Sequence, residues 1–281
     1  MFFEMFKKKY FVLADVVHER KEEKFENRGL HGLLDYATSA TGISFEDKRD
    51  ILHHKLVFFS KNVDCFDFEK LLEKIKSNAK LRQELIDYLT VNETYFNREH
   101  SQIDLFVKMV KASKDRVELL SLPCSTGEEV DTIIITLLEA GVSTDKFCIT
   151  GMDINATVVA HAKNAFYSKR SLHKVDERLV DKYFMKVDET FQLNAKISDI
   201  PEFKTGSIFE LQNMKNFDFI FCRNLLIYFD HDTKKEAITS LSKVLKPEGK
   251  LFFGHGDTID KSLDLDYHYE DHAKYYELPK R

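Results

Sequence analysis

Apolar and polar residues follow two different rhythms along this chain, and the change falls near residue 117. Before it the spacing is helical. The run Phe45 to Phe59 sets Leu52, Leu56 and Phe59 on one stripe, and Ser44 with Asp47 three residues on resembles a capping box. Phe68 to Ile75 and Leu81 to Leu89 fit two further short amphipathic helices. The first 30 residues read either as a helix or as a partly ordered extension. An all-helical N-terminal domain is the simplest account of the rest.

From Val117 onward short apolar runs alternate with helical segments. Val117 to Cys124 reads as a buried strand, Ser125 to Glu129 as a turn, and Asp131 to Ala140 as a helix ended by Gly141. Lys146 to Asp153 and Ala156 to Phe166 repeat the pair. Phe217 to Cys222 is a third strand and Thr233 to Leu245 its helix. Lys246 to Gly249 reads as a turn before a strand over Lys250 to Phe253. Strands alternating with helices predict a parallel sheet covered on both faces. The tail, Leu265 to Leu278, alternates like an antiparallel hairpin at the sheet edge. Tyr167 to Phe203 interrupts the series as an inserted subdomain in which Thr190 to Leu193 could be a short strand.

Composition narrows the field. The chain has 281 residues, 43% hydrophobic and 32% charged, so a normal core is available. No run of about 18 uncharged apolar residues occurs, and no transmembrane helix is expected. The apolar stretch near Met1 is too short and poorly flanked for a signal peptide, which makes a cytoplasmic protein the default. With 42 basic and 47 acidic residues and no strongly basic block, nucleic acid is not an expected partner. Cys65, Cys124, Cys148 and Cys222 form no C-x-x-C pair; reduced structural thiols are expected, and no metal site.

In an open α/β sheet, ligands bind beyond the carboxyl ends of the strands. That rule selects Ser125 to Glu129, Asp153 to Asn155, and Arg223 to Tyr228. The first loop holds one glycine, Gly127, which would let backbone approach a ligand, and has neither a G-x-G-x-x-G nor a P-loop pattern. A pyrophosphate cradle is therefore disfavoured. Glu128 and Glu129 would repel phosphate but attract a cation, such as the sulfonium and ammonium groups of S-adenosylmethionine. Their plainer role is to cap the helix, with Ser125. Asp153, 26 residues beyond Gly127, suits the hydroxyls of a ribose, although Asp is also a common helix cap. Arg223 and Asn224 either meet a ligand or form a salt-bridged loop. Asn92, Thr94 and Arg98 lie at the junction of the two parts, where clefts form, and Arg is suited to clamp a carboxylate.

Together these segments resemble the CheR-type chemotaxis receptor methyltransferases. The resemblance is carried by Asn92-Glu-Thr-Tyr-Phe-Asn-Arg98, Cys124-Ser-Thr-Gly-Glu-Glu129, Phe221-Cys-Arg-Asn-Leu-Leu-Ile-Tyr-Phe229 and Gly254-His-Gly-Asp257, with Thr41 to Lys48 matching the helical part. It runs from about residue 31 to the end. It implies an α/β, Rossmann-like class I S-adenosylmethionine methyltransferase domain over 91–281, with a small inserted β-subdomain at 167–205. An all-helical domain over 31–90 and an extension over 1–30 precede it. It further implies that Asn92, Thr94 and Arg98 line the cofactor near its methyl and amino-acid end. Glu129 would hold the amino-acid portion, Asp153 the ribose, and Ser207 and Ile208 the adenine. Arg223 and Asn224 would border the cofactor, with Tyr228 near the methyl. S-adenosylhomocysteine would be the product.

The activity implied is glutamate O-methylation of chemoreceptors, with Arg98 and Tyr228 catalytic in aiming the substrate carboxylate. The partners implied are the cytoplasmic methylation helices of those receptors, which the basic run Lys48, Arg49, His53, His54 and Lys55 would attract unless it is simply a solvated helix face. A monomer is expected. Three departures from the pattern stand out: Asn97 replaces an aromatic residue, Ser207 replaces Asn, and Gly256-Asp257 replaces Ser-Glu. The insertion lacks the glycine-flanked loop of members that dock on a receptor's C-terminal pentapeptide, so no such tether is expected. Three rivals remain open at this stage. They are a cofactor-sensing regulator of the same fold, a nicotinamide oxidoreductase without its glycine fingerprint, and a methyltransferase acting on nitrogen.

Overall fold

Local capping chemistry sets the helices that open the chain. The structure, a computed structural model, describes residues 29–44 and 49–279. Helix α1 spans Leu30–Thr41 and α2 spans Arg49–Asn62. α2 buries Leu52, Leu56 and Phe59, the stripe that periodicity predicts, whereas the capping-box residue Asp47 lies outside the described residues. Asp67 starts α3 (Phe68–Ser77) by accepting from the N–H groups of Glu69 and Lys70. Asn78 starts α4 (Ala79–Leu89) by accepting from those of Lys80 and Leu81. The four helices share a core of their own around Leu33, Leu56, Phe68, Leu71 and Leu85.

After α5 (Ser101–Ala112) the chain builds β1 (Val117–Ser121), α6 (Glu128–Glu139), β2 (Phe147–Asp153) and α7 (Ala156–Asn164). The predicted helix at 156 is shorter than its pattern. Ala165 turns left-handed, with φ 51°, and Phe166 begins a strand instead. That strand, β3 (Phe166–Ser168), is followed by α8 (Glu177–Tyr183), β4 (Phe184–Val187), β5 (Thr190–Leu193) and α9 (Ala195–Ser198). β3, β5 and β4 make a separate three-stranded antiparallel sheet. β6 (Glu202–Thr205) then returns to the main sheet beside β2.

The chain closes with β7 (Phe217–Cys222), α10 (His231–Val244), β8 (Leu245–Phe253), β9 (Asp266–Glu270) and β10 (Ala273–Glu277). The main sheet runs β6-β2-β1-β7-β8-β10-β9, parallel through β8 and antiparallel at the final hairpin. This is the Rossmann-like architecture that the resemblance implies. The segment 246–249, read as a turn, lies within β8 as an irregularity: Leu245 pairs with Phe217, and Lys250 already with Phe219.

Pleating sorts the core. Leu119, Phe219, Phe221 and Phe252 join α5 and α6 on one face. Leu120, Ile220, Cys222 and Phe253 join α10 on the other. Phe221 stacks on Phe252 with ring centroids 4.5 Å apart. The central strands are therefore buried on both sides, and their carboxyl ends are the free positions. Sequence order reverses direction between β1 and β7, which opens a crevice there. Cys65, Cys124, Cys148 and Cys222 are all free thiols. No helix among the described residues is long and apolar enough to cross a membrane.

Candidate active site

A cleft opens where the helical unit meets the carboxyl ends of β1, β2 and β7. Asn92, Thr94, Arg98, Glu129, Asp153, Arg223, Asn224 and Tyr228 all line it, as do Cys124 and Ser125. Ser207 and Ile208 are not part of this lining. Ile208 is buried beside Met152 in the sheet core, and the Ser207 hydroxyl accepts from the Phe209 N–H. Gly206 nevertheless donates to the Asp153 carbonyl, which keeps the segment next to the cleft.

The loop after β1 separates its two carboxylates. Gly127 has φ 98°, and a Cβ there would sit 2.9 Å from the Tyr167 hydroxyl. Glycine is required by that packing and that backbone. α6 starts directly after Gly127 without a side-chain cap, three residues before the predicted start. Neighbouring residues on a helix point about 100° apart. Glu129 accordingly faces the cleft while Glu128 is buried behind it, taking a hydrogen bond from the Thr126 hydroxyl. Burial raises the pKa of the Glu128 carboxyl.

Glu129 accepts from the Ser121 hydroxyl at 2.8 Å and pairs with Arg223 at 3.1 Å. Burial raises its pKa, and the Arg223 charge opposes the rise. Arg223 also reaches Glu99 at 3.5 Å and donates to the Arg98 carbonyl. Its Nε is buried with no hydrogen-bond partner among the described residues. Glu99 takes bonds from the His255 N–H and the Asn224 side chain. Burial acts to raise the Glu99 pKa, but Arg223 and these two bonds bring it below its ordinary value. Glu99 itself has φ 50°, a costly backbone that these partners hold in place.

Asp153 ends β2. Its carboxylate accepts from the N–H groups of Ser125 and Asn155, both at 2.9 Å, so it ties two loops together. Burial pushes its pKa up to about 6 against those bonds. The loop after β7 is held by Asp257, a residue that stands out in the sequence only as a departure. The Asp257 carboxylate accepts from the N–H groups of Asn224, Gly254 and Ile227. A Cβ at Gly254 would lie 2.6 Å from the Asn224 amide nitrogen, so only glycine fits. Arg98 donates to the Glu93 carbonyl at 2.8 Å and sits over the Tyr95 ring.

Asn97, the other departure, is turned away from the cleft. Its backbone is left-handed, φ 61°, which Asn tolerates better than an aromatic residue, and its side chain donates to the Lys174 carbonyl. On α2, Lys55 lines the cleft mouth and His53 packs edge-on against Phe68. Lys48 lies outside the described residues.

A sequence model of the family described as CheR methyltransferase, SAM binding domain, matches residues 92–274. The chain belongs to this family. Its match begins at Asn92, the first of the predicted site residues on the cleft wall. A chemotaxis protein methyltransferase of Campylobacter jejuni is 32% identical, over 88% of this chain and 95% of that protein. Chemotaxis protein methyltransferase 2 of Vibrio cholerae is 32% identical, over 81% of this chain and 84% of that protein. The Escherichia coli chemotaxis protein methyltransferase is 29% identical, over 78% and 80%.

CheR membership makes this chain an S-adenosylmethionine-dependent methyltransferase, as the motifs imply. The donor set fits that cofactor. Two carboxylates at the cleft, Glu129 and Asp153, suit a ligand with cationic groups and hydroxyls, and the Arg98 guanidinium suits a carboxylate.

Proposed function

We propose that this CheR-family chain esterifies glutamate side chains of chemoreceptors in chemotaxis adaptation. The reading is supported above all by one observation: Arg98, Tyr228, Glu129 and Asp153, drawn from four separate stretches of chain, line a single cleft. S-adenosylmethionine supplies an electrophilic methyl group, whose bond to sulfur breaks as the bond to a carboxylate oxygen forms. In this reading Glu129 holds the amino group of the cofactor, Asp153 accepts from the ribose hydroxyls, and Asn92 and Thr94 line the amino-acid end. Arg223 and Asn224 border it, and Ser207 and Ile208 flank the adenine.

A glutamate carboxylate is ionised at neutral pH, so no general base is needed. The residues align two partners and exclude water. Such positioning can contribute roughly 7–11 kcal/mol at best. Arg98 and Tyr228 aim the substrate carboxylate at the methyl group. The substrate is a receptor methylation helix approaching beside α2, where Lys55 and the exposed Ile51 border the cleft.

The proposal includes action as a monomer in the cytoplasm, and no pentapeptide tether. β4 and β5 are joined by the two residues Asp188 and Glu189, too few for a docking loop. It also includes the division into 1–30, 31–90 and 91–281 with an insertion at 167–205, for which the separate helical core argues. A non-catalytic regulator of the same fold is not favoured by family membership.

The test uses radiolabelled S-adenosylmethionine, the full chain and receptor fragments, with labelled methanol counted after alkali. Alkali-labile label on the receptor is expected. Alkali-stable label would mean a different acceptor atom.

A further inference from the structure

We infer that Asp87, on α4 of the helical unit, is a positioning residue for the cofactor site, acting through the loop after β2. The inference rests on the methyltransferase reading above. Asp87 lies outside the cleft lining, yet both oxygens of its carboxylate are engaged by the sheet domain. One oxygen accepts from the Ala156 N–H at 2.9 Å and from the Gln83 amide at 2.8 Å. The other accepts from the Thr157 N–H at 3.1 Å and the Thr157 hydroxyl at 2.7 Å.

Ala156 and Thr157 are the first two residues of α7, whose opening N–H groups have no partner within the helix. Asn155 caps only the third, Val158. The start of α7 is thus completed from a part of the chain about 70 residues away, and the carboxylate also suits the positive end of the helix dipole.

The same patch holds the residues just before the helix. Gln83 donates to the Ile154 carbonyl at 2.8 Å. The Asn155 side chain donates to the Asp87 carbonyl at 3.1 Å and the Thr90 hydroxyl at 2.8 Å. Every residue from 154 to 157 is therefore fixed by α4 or its end. Asp153 comes next in line, bonded to the Asn155 N–H, and Ile154 and Thr90 line the cleft. Placement of the Asp153 carboxylate is set from the helical unit.

The experiment titrates the full chain with S-adenosylhomocysteine by calorimetry and measures KM for S-adenosylmethionine and kcat. Asp87→Ala is expected to weaken binding and raise KM about tenfold, with kcat at saturating cofactor within about twofold. Leu71→Ala, a core change in the same unit away from the patch, is expected to lower Tm and leave affinity within about twofold. Should Asp87→Ala fail to fold, Gln83→Ala is the substitute, and a several-fold loss of affinity is expected. Unchanged affinity in the Asp87 or Gln83 variant would overturn the inference alone. Equal weakening by Leu71→Ala would also overturn it, by making the effect one of general stability. A wild-type chain that binds no S-adenosylhomocysteine would overturn the methyltransferase reading and this inference with it.

Discussion

Helix α6 divides two acidic neighbourhoods that differ in one ingredient, a cation. On the cleft side Glu129 and Glu99 share Arg223. Behind the helix, Asp131 takes the Tyr167 hydroxyl on one oxygen, and its other oxygen has no hydrogen-bond partner among the described residues. Burial acts on both sides. Arg223 opposes the rise at Glu129, whereas desolvation pushes Asp131 up to about 7 despite its Tyr167 bond. The cleft side sets its carboxylates against a cation, and the rear holds Asp131 without one.

Removing the cation should erase the difference, with the largest effect. Arg223→Ala leaves Glu129 and Glu99 without their countercharge, a kind of loss that costs about 3–5 kcal/mol in buried pairs. A Tm lower by several degrees and S-adenosylhomocysteine affinity reduced more than about a hundredfold are expected, by melting and calorimetry.

A smaller effect should follow from acid. Burial pushes the Asp153 pKa up to about 6, and the proposed ribose contact uses its carboxylate. Below pH 6 binding must release a proton, so Kd should rise as pH falls, by at most about tenfold per unit. A flat Kd between pH 5 and 7 would remove Asp153 from the ribose role.

The smallest effect lies behind the helix. The folded pKa of Asp131, about 7, stands above its ordinary value of 3.8, so the folded state favours the protonated acid. Stability from this group is present at low pH and lost as pH rises from about 4 to 7. Asp131→Asn keeps an acceptor for Tyr167 and carries no charge. Its Tm should exceed that of wild type by a few degrees at pH 8, and the gap should narrow toward pH 5.

The sequence shows the sheet well because its strands are nearly continuous apolar runs: Phe217 to Cys222 and Phe147 to Asp153 could hardly be anything else. It shows the cleft residues through their motifs. Local pattern alone does not separate Glu128 from Glu129, because it starts the helix at Asp131, whereas the helix begins at Glu128 and turns the two apart. Asp87, Glu99 and Asp257 escape for a related reason. Each acts by accepting from backbone or side-chain groups remote in sequence, and no local pattern records that. Position 97 is the converse: a departure in the motif proves to be a backbone preference, with its side chain outside the cleft.

The clamp at Asp257 bears on how this site can change over generations. Its carboxylate grips the N–H groups of residues 224, 227 and 254, and every residue except proline has one. The backbone shape of the loop after β7 is therefore set in part from position 257, independently of which side chains stand at 224 and 227. An exposed position such as Ile227 can change its side chain on a frame that stays put. A change at 257 would alter every loop position at once.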